Sequence, residues 1–127
     1  MNNLFSGGRN NLISEDQALA CATWLKILQA LRTDNAQLIR QLADAVNNSA
    51  DRGFIEEAEA FQLKMLSREE AIVLLRHEIK EQLAWLENNA HGPSPHDHSS
   101  LKEDVTKMVM DYENLKTSFL KFLSINS

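Results

Sequence analysis

Residues 99–123 read SSLKEDVTKMVMDYENLKTSFLKFL, and the spacing within them decides the fold. Leu101, Val105, Met108, Tyr112, Leu115, Phe119 and Phe122 recur in alternating steps of four and three. Side chains at that spacing share one side of an α-helix, whereas a strand would need every second residue. Ser100 and Glu103 make a capping-box pattern at the start. Lys116 and Lys121 lie toward the end, where the helix dipole favours cations. The pattern predicts a helix over about 100–124 with one apolar stripe that must be covered.

Two longer stretches of the same kind precede it. Upstream of the linker Ala90–Ser99, which holds both prolines and Gly92, the seam Phe54, Ala58, Phe61, Met65, Arg68, Ile72, Leu75, Ile79, Gln82, Leu86 predicts a helix over about 51–89. Leu66, Val73, Leu83 and Trp85 widen it. Before that, Cys21, Trp24, Leu28, Leu31, Asn35, Leu38, Leu42 and Ala45, flanked by Ala18, Leu25, Ile39 and Val46, predict a helix over about 14–47. Ser14 with Gln17 supplies its capping pattern, and Glu15 and Asp16 add charge of the favoured sign. Residues 1–13 are rich in Asn, Ser and Gly and are expected to be a flexible segment, with Leu4, Phe5, Leu12 and Ile13 able to pin it to a neighbour.

The expected fold is therefore all-α: an antiparallel up-down-up bundle of three long helices, one domain over 14–125. A kink near Thr33–Asn35, where a polar Asn falls on the seam, or at Ser67, where Ser67 and Glu70 repeat the capping pattern, would give a four-helix variant. The architecture is similar to bacterial export chaperones of the flagellar type, a likeness of helix lengths that no residue motif carries.

The bulk properties exclude several functions. The 127 residues carry a net charge of −5, with Lys and Arg dispersed, so the clustered positive charge that nucleic acid or an anionic membrane surface requires is missing. No apolar run approaches a membrane span. The polar amino terminus does not read as a signal peptide, and the single Cys21 cannot form an internal disulfide, so a cytoplasmic protein is expected. Asn47-Asn48-Ser49 then reads as a polar turn and not as a glycosylation site.

Motifs for chemistry are sparse. No histidine follows a glutamate by three residues, so the ligand pattern of di-iron bundles is absent, as is a phosphate-binding glycine loop. Cys21 on an apolar seam reads as an inert core thiol. His77 and Glu81, one turn apart off the seam, read as a solvated pair. The one dense set of potential ligands is His91, His96, Asp97 and His98 in the linker; imidazole suits zinc, nickel or copper, so these are the weak metal candidates. No cofactor and no enzymatic activity are expected.

The helix lengths suggest where a partner would bind. A third helix of about 35 Å, folding back from a tight turn, would bring Phe122 only to the level of Leu66. The tip of the first hairpin would then lack cover, exposing Leu38, Leu42, Val46, Phe54, Ile55 and Phe61. Those residues are the expected partner-binding site, for a second copy of the chain or another protein. The expected function is that of a non-enzymatic helical interaction module: an adaptor, small chaperone or assembly factor. The alternative is a helical bundle that binds a metal or small ligand through His91, His96 and His98.

Overall fold

All three seams turn inward onto one core. The structure, a computed structural model, describes the backbone of residues 2–126 and the side chains of residues 13–126. It contains three helices packed against one another: α1 Asn2–Asn47, α2 Arg52–Glu87 and α3 His98–Asn126. No strand occurs among the described residues. The buried set runs from Cys21, Leu28, Leu38 and Leu42 on α1, through Met65, Ile72 and Ile79 on α2, to Leu101, Tyr112 and Phe119 on α3. These are the seam positions, so the periodicity of each segment and its burial agree.

Polar contacts fix the order and direction of the helices. Arg32 of α1 meets Glu69 of α2 at 2.6 Å, and Asn35 Nδ2 donates to the Met65 carbonyl at 2.9 Å. A rising residue on α1 thus meets a falling one on α2. On the other side Arg68 lies 3.8 Å from Met108 Sδ, and Phe61 packs edge-on against Phe119 with ring centroids 5.5 Å apart. Both neighbours run antiparallel.

Neither kink forms. Thr33–Asn35 lies within a continuous α1, because Asn35 finds a partner across the bundle and has no need to break its own helix. Ser67 lies within a continuous α2, where its neighbours Met65, Arg68 and Glu69 all contact another helix. The start of α1 also differs from expectation: its backbone is helical from Asn2, so Ser14 lies inside the helix and does not cap it. α3 begins two residues early. Asp97, not Ser100, closes its first turn, accepting from the Ser100 amide at 3.0 Å and the Ser100 hydroxyl at 2.9 Å. Asp51 caps α2 in the same way, accepting from Gly53 and Phe54.

The largest departure lies in the connection from α2 to α3. Just beyond α2, Asn89 and Ala90 lie in the left-handed region, followed by Gly92 at φ 77°. The chain then doubles back along α2 instead of crossing its end. Trp85 Nε1 donates to the His91 carbonyl at 2.9 Å. One turn earlier on α2, the buried Gln82 Oε1 accepts from the His96 amide at 3.1 Å. Ser94 Oγ lies 3.0 Å from the same oxygen and 2.6 Å from the His96 carbonyl, so its single proton is shared between them. Residues 91–97 form a strap down the side of α2, and α3 starts beside Gln82.

This strap corrects the expected register. Phe122 does not stop at Leu66; it stacks on Phe54, with ring centroids 5.0 Å apart and planes at 13°, and also packs on Phe61 at 5.1 Å. α3 reaches roughly one to three turns nearer the tip than a tight turn allows. The tip therefore has its third helix.

Replacing Gln82 by Leu tests the strap. The His96 amide loses its acceptor, which should cost about 1–2 kcal/mol. The expected result is a lower denaturation midpoint with amide exchange accelerated over residues 91–98. Wild-type exchange there would show that Gln82 does not hold the strap.

Candidate functional site

The residues expected to form an exposed tip are mostly enclosed. Leu38 and Leu42 are each only 3% exposed, and Val46, Phe54, Ile55 and Phe61 are half-buried. The cause is α3: Phe119 and Phe122 fill the space between Phe54 and Phe61 that a shorter third helix would have left open. Lys64 extends over the Phe61 ring at 5.6 Å. Of the six residues, Phe54 lines an open groove.

The groove, of about 620 Å³, lies where α1 ends, α2 begins and α3 finishes. Ala45, Phe54, Leu120 and Leu123 give it an apolar wall. Asn48, Ser49, Asp51, Ser124 and Asn126 give it a polar rim. Leu120 is 42% exposed. Asp51 is held by its capping bonds to Gly53 and Phe54, so the rim is fixed by the same contacts that start α2. Leu120 and Leu123 flank the α3 seam, and the repeat Phe119-Leu120, Phe122-Leu123 is their signal in the sequence, since doubled apolar positions widen the stripe beyond one helix contact.

The linker residues are not brought together. The His91 carbonyl faces Trp85, and Asp97 caps α3. His96 Nε2 lies 3.2 Å from Glu81 Oε1, an oxygen that His77 approaches from 3.6 Å on its own helix. The His98 ring leans on Trp24 with centroids 4.8 Å apart. The side chains of His96, Asp97 and His98 thus serve three separate contacts, and among the described residues no group of three or more His, Cys, Asp or Glu is placed to hold a metal ion. Cys21 is fully enclosed, and burial pushes its thiol pKa up, which keeps it protonated.

A polar cluster at mid-bundle was not legible in the sequence. Tyr112 is fully buried, yet its hydroxyl donates to Asp34 Oδ2 at 2.5 Å, and Lys116 Nζ donates to the same oxygen at 3.0 Å. These bonds tie α1 to α3. The tyrosine hydroxyl holds the Asp34 carboxyl below the usual range, Lys116 adds to this, and partial burial opposes it. Burial, then the bond to Asp34, drives the Tyr112 phenol well above its usual range.

Comparison with known proteins finds no matching family model, no matching curated protein and no matching solved structure. No helix among the described residues is long and apolar enough to cross a membrane.

The Asp34–Tyr112 pair sets the direction of two pH effects. Asp34 titrates lower when folded, so its contribution is present above about pH 4 and is lost as pH falls below that. Tyr112 titrates higher when folded, so its contribution is present below about pH 10 and is lost as pH rises further. Replacing Tyr112, the only tyrosine, by Phe should cost about 1–2 kcal/mol at neutral pH and flatten the alkaline limb. Denaturant melts of both proteins across the pH range check this. An unchanged alkaline limb in the variant would assign it to another group.

Proposed function

We propose that this chain is a non-enzymatic helical protein–protein interaction module, an adaptor, small chaperone or assembly factor, and that it engages its partner through the tip groove. The observation that supports this reading is the apolar wall of Phe54, Leu120 and Leu123 set inside a polar rim. An interface needs apolar area that can be desolvated at its centre and polar groups around it to fix orientation. A groove of about 620 Å³ accommodates a few side chains, so the fitting partner is an amphipathic segment that inserts two or three apolar residues while its backbone or polar flank meets Asn48, Ser49 and Asn126. The site is contributed by all three helices, so it exists only in the assembled bundle.

Leu120 is the residue to change, because it lines the groove and its exposure lets the fold survive a charge there. Wild type, Leu120→Glu and the control Thr117→Glu, exposed elsewhere on α3, serve as baits on native lysate, read by mass spectrometry. The expected result is a protein retained by wild type and control and reduced about ten-fold or more by Leu120→Glu, equivalent to ~1.4 kcal/mol. Retention of the same set by all three baits, or of nothing specific by wild type, would sink the reading.

A further inference from the structure

The α2 seam carries one cation. Arg68 stands between Met65 and Ile72, where the spacing calls for an apolar side chain. It faces α3, and its Nη1 donates to Met108 Sδ at 3.8 Å. A thioether is only a weak acceptor. Asp111 Oδ2 lies 3.7 Å from the same nitrogen but closer, at 3.2 Å, to Lys107 Nζ. Arg68 therefore sets a strong donor against a weak acceptor. Met108 also borders open space. A groove of about 230 Å³ between α2 and α3 is lined by Met108 together with Arg68, Leu74 and Lys107. A water molecule takes roughly 30 Å³ of liquid, so the groove admits a molecule of two oxygen atoms. Glu78 and Asp104 also line it; they repel small anions but not an uncharged peroxide.

We propose that Met108 is an oxidation site: hydrogen peroxide entering this groove converts its thioether to the sulfoxide, and Arg68 then holds the new oxygen. A sulfur lone pair attacks one peroxide oxygen, so the S–O bond forms and the O–O bond breaks. The second oxygen leaves with the bonding pair and takes the proton of the first. The peroxide is reduced to water, and the thioether is oxidised by two electrons. The product is polar and chiral. Its oxygen lies off the line from Sδ to Nη1, within reach of the same guanidinium. A weak contact becomes a charge-assisted hydrogen bond between α2 and α3. Oxidation of a core methionine ordinarily disrupts packing; here the bond to Arg68 offsets that loss. The site shares no lining residue with the tip groove, and neither depends on the other.

Two other methionines serve as references for hydrogen peroxide treatment: Met110 is 61% exposed and Met65 is fully buried. Mass spectrometry of digests over a time course should show Met110 oxidising first and Met108 next, at least about ten-fold faster than Met65. Attack from the groove on a sulfur flanked by Arg68 should give mainly one sulfoxide epimer. Each epimer has its own reductase, so one of the two enzymes should restore most of the Met108 in the digest, whereas each restores about half of the Met110. In a Met110→Leu background, oxidation should raise the unfolding constant about ten-fold or more further when Arg68→Leu is added, and by an intermediate factor with Arg68→Gln, which keeps a neutral donor. Met108 reacting no faster than Met65, equal amounts of both epimers at Met108, or oxidation that destabilises the protein equally with and without Arg68 would each overturn the proposal.

Discussion

The position of α3 along α2 is decided at one buried oxygen. Gln82 Oε1 is a buried polar atom on the α2 seam, and burying it without a partner would cost about 1–3 kcal/mol. The strap supplies that partner through the His96 amide, and the chain must descend beside α2 to deliver it. Once it has done so, α3 begins level with Gln82, and the remaining contacts follow in step: Arg68 with Met108, Phe61 with Phe119, Phe54 with Phe122. Closure of the tip, and the shape of the groove beside it, thus depend on a side chain at the opposite end of the molecule.

Different interactions supply stability and alignment. Truncating a buried aromatic such as Phe119 removes about 3–5 kcal/mol, whereas an exposed ion pair such as Lys107 with Asp111 contributes about 0–1 kcal/mol. The aromatic and aliphatic seams therefore dominate the free energy. They do not by themselves define register well, because a repeating apolar stripe can slide. The mid-bundle polar groups add alignment: Arg32 with Glu69 and Asn35 with the Met65 carbonyl key α1 to α2, and Asp34 with Tyr112 and Lys116 keys α1 to α3. Asn35 carries a cost, since its Oδ1 is buried without a hydrogen-bond partner. A buried asparagine of this kind gives up stability for a defined arrangement.

Much of the fold is written in local periodicity, and the helices and their inward faces are read from it directly. Leu28, Ile72 and Phe119 are buried because their spacing admits no other outcome for a helix in water. The seam also hid information. Gln82 stands at a core position, and a polar residue there signals a partner from elsewhere in the chain without naming it. The partners lie twelve and fourteen residues away, in the linker, which carries no periodicity to align it with Gln82. With α3 starting beside Gln82, Phe119 and Phe122 reach Phe61 and Phe54, and the open groove lies beside Leu120 and Leu123. The linker histidines are close in sequence yet diverge in space, His96 lying against Glu81 and the His98 ring leaning on Trp24.

The two tryptophans sit at the strap end of the bundle, and the aromatic residues at the tip are all phenylalanines. Trp24 is nearly enclosed against an imidazole, while Trp85 is half-buried with its indole N–H bonded to a carbonyl. Intrinsic fluorescence is therefore a one-ended probe. It follows the docking of the linker closely and is blind to fraying at the far end, which only a backbone signal such as far-ultraviolet dichroism would register. Disagreement between those two optical signals during melting would locate which end of the molecule opens first.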